Sequence, residues 1–264
     1  MSSKTVTDLS KVLDKTNLES PFSGVDAIYY INMDKSTDRN EHMKQQLSDP
    51  AFSGVPVTRI AAFDGAKDDI FKYLDFYRCA KNPRMMNSEY ACTLSHFRAI
   101  HEFAMTDDPI ALIFEDDVST EFIPYWKKTM RQHIDDAPKD WEVLQLSYIL
   151  FETVPTVEYE LWEMKKNFVG AAAYLIKNDA AKRLINYLCQ YSSPAMPKYT
   201  FGPEIPYYHH ADRFLYCFFK TYSYNCAPFT YRDQNDSNIH PDHLDYHSES
   251  KERTKQLYLR YIKV

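Results

Sequence analysis

"IALIFEDDVST", residues 110–120, is a five-residue apolar run that ends in three consecutive acids, Glu115, Asp116 and Asp117. An uninterrupted Ile-Ala-Leu-Ile-Phe run bounded by polar residues has the pattern of a strand buried on both faces of a parallel sheet. In open α/β sheets ligands sit outside the carboxyl ends of the strands, so these acids project where chemistry is done. Clustered carboxylates repel one another unless a cation intervenes. The stretch therefore reads either as the rim of a cation site or as an acidic turn.

The flanking sequence supplies the rest of a layered α/β pattern. Upstream, "AIYYINM" (27–33) is β-branched and aromatic, and "STDRNEHMKQQL" (36–47) carries Asp38 and Glu41 at capping-box spacing ahead of Met43 and Leu47. "VTRIAAFDG" (57–65) reads as a second strand with a turn at Asp64-Gly65. Ser88 is placed to cap a helix over "EYACTLSHFRAIHEFAM" (89–105), where Leu94, Phe97, Ile100 and Ala104 recur at three- and four-residue intervals. Downstream, "WEVLQLS" (141–147) and "FVGAAAYLI" (168–176) read as strands, and Asn178 or Asp179 as the cap of a helix with Leu184 and Leu188 on one face. Strands alternating with helices predict a mostly parallel central sheet with helices on both faces.

Residues 192–241, with Pro194, Pro197, Pro203 and Pro206 among many tyrosines and histidines, break that rhythm and read as an irregular functional segment. The last residues, "KERTKQLYLRYIKV" (251–264), predict a terminal amphipathic helix. The expected organisation is an N-terminal extension over 1–24, one α/β domain over 25–240 and a C-terminal tail or helix over 241–264.

Composition narrows the function classes. A chain of 264 residues with 44% hydrophobic content can bury a substantial core. A net charge of -6 and no dense Lys/Arg stripe provide no field for a nucleic-acid backbone, so no nucleic-acid partner is expected. No apolar run approaches the ~20 residues of a membrane span and no signal peptide is seen, so a cytoplasmic protein without a transmembrane segment is expected. Five scattered cysteines without a C-x-x-C pair read as reduced core residues. Only five glycines are present, in neither a G-x-G-x-x-G nor a Walker arrangement, so no backbone nest for phosphate is expected. A diphosphate ligand on such a fold would call for Mn²⁺ or Mg²⁺ held by hard oxygen ligands.

Taken together, "IYYINMDKSTDRNEHMKQQL", "VTRIAAFDG", "SEYACTLSHFRAIHEFA", "ALIFEDDVS" and "GAAAYLIKNDAAKRLI" resemble, in order and approximate spacing over residues 26–240, glycosyltransferase family 25, the lipooligosaccharide and procollagen galactosyltransferases. The resemblance implies a GT-A-type, Rossmann-like nucleotide-sugar-binding fold. It also implies a UDP-sugar donor (typically UDP-galactose), a divalent metal (Mn²⁺ or Mg²⁺), inversion at the anomeric carbon, and a glycan or glycoconjugate acceptor. By position it implies Asp117 as a direct metal ligand, with Glu115 or Asp116 on the ribose or a metal-bound water. The expected metal set is Glu115, Asp117 and His240, the last weakly preferred over Asp233 and Asp236. The expected donor-binding residues are Asn32, Arg39, Ala61, Asp64, Ser95, His96 and Asp116. Where the family usually shows Gly-Glu-Ile-Gly-Cys, this chain has Ser88-Glu89-Tyr90-Ala91-Cys92, which adds side chains near the donor.

Inversion requires in-line attack, so the acceptor hydroxyl needs a general base. Asp212, where the resemblance implies a late Asp, is the first choice and Glu204 the reserve. Tyr207, Tyr208, Phe214, Tyr222 and Phe229 are candidates to stack on an acceptor sugar. Three alternatives stand beside this reading, one of them a metal-dependent phosphatase or nucleotidyl enzyme, which shares the strand-end acids but leaves the other four blocks unexplained. His210-Ala211-Asp212 is an H-x-D spacing which, with His243 and Arg253, suits a non-haem Fe(II)/2-oxoglutarate oxygenase on a jelly roll. The third is a non-catalytic nucleotide-sugar-binding protein.

Overall fold

Six consecutive residues, Ala27–Asn32, are buried, the signature of a strand covered on both faces, and this strand (β1) opens the central sheet. The structure is a computed structural model that describes residues 8–16, 18–151, 156–164, 168–190, 192, 198–203, 208–232 and 244–261. After β1 come α1 (Thr37–Leu47), β2 (Val57–Ala61), β3 (Leu74–Phe76), α2 (Asn87–Ala104), β4 (Ile110–Glu115), β5 (Val118–Ser119) and α3 (Met130–Asp136). They are followed by β6 (Val143–Gln145), β7 (Tyr159–Leu161), β8 (Ala173–Lys177), α4 (Asn178–Cys189), β9 (Tyr199–Phe201), α5 (Ala211–Phe218), β10 (Thr221–Tyr224), β11 (Thr230–Tyr231) and α6 (Leu244–Tyr261).

The central sheet has seven strands in the order β2-β1-β4-β8-β6-β10-β7. β2, β1 and β4 are mutually parallel, as are β6 and β10, while β8 runs antiparallel between β4 and β6 and β7 closes the far edge antiparallel. The mostly parallel sheet expected of a Rossmann-like fold is thus present, with one inverted strand at its centre. Both of its faces are covered. Tyr29 packs its ring 6.0 Å from Phe103 of α2, while the next residue, Tyr30, donates to Asn40 of α1 at 2.9 Å. Successive strand side chains point to opposite faces, so α1 and α2 lie on opposite sides of the sheet.

Register fixes where the strands end together. Asn32 pairs with Ala61 and Ile31 with Glu115, so β1, β2 and β4 finish side by side. This shared edge is the carboxyl-end rim where ligands of open sheets collect. Gly65 lies just beyond it; a Cβ there would stand 2.5 Å from the Asn87 carbonyl oxygen, so the β2 turn can abut α2 only without a side chain.

Several local expectations are revised. α2 starts at Asn87, so Ser88 lies inside the helix, and Glu89 accepts from the Met86 N–H at 2.6 Å. Asp38 is within the first turn of α1 and pairs with Arg232 at 3.0 Å. Asn178 donates to the Phe103 and Thr106 carbonyls, which ties α4 to the end of α2. The segment read as irregular contains β9, α5, β10 and β11, because its prolines fall between these elements. α6 is docked, burying Leu257 and Tyr258, and Tyr258 packs on Phe122 with ring centroids 4.6 Å apart.

Candidate functional site

The three acids after β4 have three different environments, and strand alternation is the reason. Ile113 pairs with Tyr174, whose ring packs toward His96 of α2, so Glu115, two residues on, faces α2 as well. Its Oε1 lies 3.0 Å from His96 Nε2, and His96 Nδ1 lies 3.0 Å from the Tyr174 hydroxyl. A carboxylate only accepts, so Nε2 carries the ring proton and Nδ1 accepts from Tyr174. His96 is wholly buried, whereas the Glu115 side chain retains 27% exposure.

Asp116 turns to the α1 side. Its Oδ1 lies 2.6 Å from Arg39 Nη1 and its Oδ2 accepts from Asn32 Nδ2 at 2.7 Å. Burial pushes the Asp116 carboxyl up, against the pull of the Arg39 charge and the Asn32 hydrogen bond. Both of its oxygens are in use. Arg59, opposite Tyr30 in register, donates to Asn32 Oδ1 at 2.9 Å and fixes the amide that holds Asp116.

Asp117 is the exception. Its Oδ1 is buried and, among the described residues, has no hydrogen-bond partner; its Oδ2 is 3.8 Å from Arg39 Nη1. Burial, reinforced by the negative charge of Glu115, pushes its carboxyl up to about 7. The backbone here is pinned by the Arg232 N–H, which donates to the Asp117 carbonyl at 2.8 Å. A buried, unsatisfied carboxylate oxygen beside a second carboxylate is a donor set suited to a hard divalent cation.

Asp212, in the first turn of α5, belongs to the same charged neighbourhood. Its Oδ2 accepts from the Gly170 N–H at 2.9 Å and its Oδ1 from the Arg213 N–H at 2.7 Å. The charges of Glu115, Asp117 and Asp212 together raise the buried Tyr231 hydroxyl, after burial itself. Gly170 has φ +106°, and a Cβ on it would collide with the Tyr231 hydroxyl, so glycine is required where Asp212 is anchored.

The remaining expected residues divide. Ala61 lies at the rim, its carbonyl accepting from Arg98 at 3.1 Å. Asp64 pairs with Lys35 at 2.7 Å across two rim loops, and that ammonium holds its carboxyl below the usual range. The Ser95 hydroxyl donates to the Ala91 carbonyl at 2.6 Å and accepts from the Phe63 N–H at 2.9 Å. Phe214 and Phe229 are core residues, and Tyr222 donates to Asp140. Tyr208 is exposed. Glu204, Tyr207, Asp233, Asp236, His240 and His243 lie outside the described residues.

The oxygenase alternative fails on the fold, because the mostly parallel seven-stranded sheet is not a jelly roll. The sequence reading missed Arg59, Tyr174, Gly170, Tyr231 and the position of Cys92. Of these only Cys92 carried a signal, its four-residue spacing from His96 on one helix face.

The model of glycosyltransferase family 25 (LPS biosynthesis protein) matches residues 25–198, more than half of the chain. The chain belongs to glycosyltransferase family 25. As a family 25 member it is a glycosyltransferase, and its strand-end acids lie within the matched span. Among solved structures it is similar to the crystal structure of a glycosyltransferase involved in the glycosylation of the major capsid of PBCV-1. That likeness has a TM-score of 0.35 and 11% identity over 67% of this chain and 80% of that one. No curated protein matches this family 25 chain. No helix among its described residues is long and apolar enough to cross a membrane.

Proposed function

We propose that this glycosyltransferase moves a hexose, galactose in the first instance, from a UDP-sugar to a hydroxyl of a glycan or glycoconjugate, with inversion and with Mn²⁺ or Mg²⁺. The observation that carries the reading is the division of labour among the strand-end acids. Asp116 is saturated by Arg39 and Asn32, Glu115 is oriented by His96, and Asp117 presents a bare buried oxygen. Asp117 and Glu115 would hold the cation, with His240 the candidate third ligand. Bound there, the cation supplies neutralisation of the charge that develops on the leaving diphosphate.

The protein's own groups do the rest. Arg39, kept in place by Asp116, contributes a fixed positive charge at the rim where the diphosphate would lie. Asp212 takes the proton from the attacking hydroxyl; two backbone N–H groups orient its carboxylate, and lone pairs remain on both oxygens. Asn32 and Ala61 at the ends of β1 and β2, with Asp64 in the loop after β2, line the donor edge.

The test is thermal stability and donor hydrolysis across a panel of nucleotide sugars, with and without Mn²⁺, on the native chain and Asp117→Ala. The expected result is a Mn²⁺-dependent stabilisation and slow hydrolysis of one UDP-sugar, both lost in Asp117→Ala. A donor that binds and turns over equally well in EDTA overturns the metal role. Absence of any shift with any UDP-sugar overturns the donor assignment.

A further inference from the structure

Cys92 and His96 are one turn apart on the same face of α2, and Glu115 reaches them from the end of β4. One donor atom from each, a thiol sulfur, an imidazole nitrogen and a carboxylate oxygen, lies within 4.8 Å of the other two. We propose that Cys92, His96 and Glu115 form a binding site for a borderline-soft divalent cation of the Zn²⁺ class, separate in donor chemistry from the oxygen site at Asp117. Occupying it draws Glu115 away from the donor-side cation, so Zn²⁺ inhibits the transferase. This inhibitory half rests on the function proposed above; the binding half does not.

Four features support the site. Thiolate, imidazole and carboxylate are the three protein ligand types of zinc, and three of them with one open position is a familiar arrangement. Tetrahedral bonds of about 2.0–2.3 Å put ligand atoms roughly 3.3–3.8 Å apart, so the present separations need only small side-chain movements. Tyr174 stands on the far nitrogen of His96, the outer partner that a metal-bound histidine characteristically has. The partly exposed Glu115 side chain is the entry path.

The proton balance is simple. Binding replaces the Cys92 thiol proton, which leaves to solvent. The ring proton of His96 moves from Nε2 to Nδ1, where the Tyr174 oxygen accepts it. Nothing is oxidised or reduced.

Co²⁺ is the probe, because a thiolate ligand gives its spectrum an intense near-ultraviolet charge-transfer band. Titration of the full chain should develop that band with one equivalent of Co²⁺, reversed by Zn²⁺. The band should persist in Asp117→Ala and Cys217→Ser and vanish in Cys92→Ser, with Zn²⁺ affinity reduced by more than about 100-fold. Tyr174→Phe should weaken binding by about 10- to 100-fold while keeping the band. With the UDP-sugar that the panel identifies, Zn²⁺ should suppress turnover in the native chain and at least about 10-fold less effectively in Cys92→Ser, which turns over normally without Zn²⁺. No thiolate band in the native chain, or one that survives Cys92→Ser, overturns the site. A band without inhibition overturns the regulatory half, and a chain inactive under all conditions still answers the binding question.

Discussion

His96 and His133 are both buried, and each has Nδ1 on a tyrosine hydroxyl, 3.0 Å from Tyr174 in one case and 2.7 Å from Tyr159 in the other. The two pairs are wired in opposite senses. Tyr159 donates to the His133 carbonyl at 3.0 Å, so it must receive the Nδ1 proton, whereas His96 gives its proton to Glu115 and accepts from Tyr174. Their surroundings are opposite too. His96 looks onto the acids after β4, while His133 lines a cleft of about 440 Å³ with Trp126, Lys127, Lys128 and Tyr224. Burial, with Lys128 adding to it, pushes the His133 imidazole down to about 3. The acids after β4 thus leave one buried carboxylate oxygen without a partner among the described residues, whereas the β10–β7 edge of the sheet keeps its histidine neutral.

The largest expected effect comes from removing the cation that the acid end already owns. Arg39→Ala leaves Asp116 buried and uncompensated, and should cost about 3–5 kcal/mol in urea unfolding. Asp116→Asn in the same chain should restore part of that loss, because a neutral amide tolerates the vacancy. A single-variant cost under about 1 kcal/mol would show that the guanidinium does not hold this end together.

Acidification separates the two ends by sign. His133 has a folded pKa below its ordinary 6.5, so its contribution is fully present above that pH and is lost as pH falls toward about 3. Asp117 is raised to about 7, so in metal-free protein its contribution grows as pH falls from 7 toward 4 and opposes that of His133. In Asp117→Asn the opposition is gone, and moving from pH 6.5 to 5 should cost about 2 kcal/mol from His133. His209, lowered to about 4 chiefly by burial, adds in the same direction. Urea midpoints that stay level over this range in Asp117→Asn would refute the burial of an uncharged His133.

The legibility of the molecule follows the same division. The strand ends and the acid triplet were readable because a buried strand has period-two geometry and a polar residue at its end has one place to go. "AIYYIN" and "IALIFE" became β1 and β4 with bounds within a residue of those expected. The inversion of β8 was not readable: "FVGAAAYLI" has the same apolar character in either direction, and only its neighbours Phe114 and Gln145 fix its sense. Caps were misplaced where a polar residue near a helix start had a long-range partner. Asp38 went to Arg232, and Asn178 to two carbonyls of the α2 end. Ser95 matches the family pattern, and its hydroxyl also accepts from the Phe63 N–H in the β2 to α2 connection, a contact that spacing cannot show.

Tyrosine deletions sharpen the contrast with smaller effects. Tyr174→Phe leaves His96 Nδ1 without a partner in a wholly buried position, and should cost about 1–3 kcal/mol. Tyr159→Phe removes two bonds, both to His133, beside a cleft where water can replace the hydroxyl, so its cost should fall at or below about 1 kcal/mol. Equal costs would mean that the two environments differ less than their wiring implies.

The smallest effect on stability should come from Lys35→Met. The Lys35 and Asp64 pair is largely solvent-facing on the lysine side, with 45% exposure, and should contribute no more than about 1 kcal/mol, less at high salt. Its interest lies in what it does to the donor. If Asp64 serves the nucleotide edge, freeing it from Lys35 should change the KM for the UDP-sugar several-fold while the melting temperature holds. An unchanged KM would leave Asp64 as the residue that closes the turn before Gly65, where its Oδ1 already accepts from the Ala66 N–H at 3.0 Å.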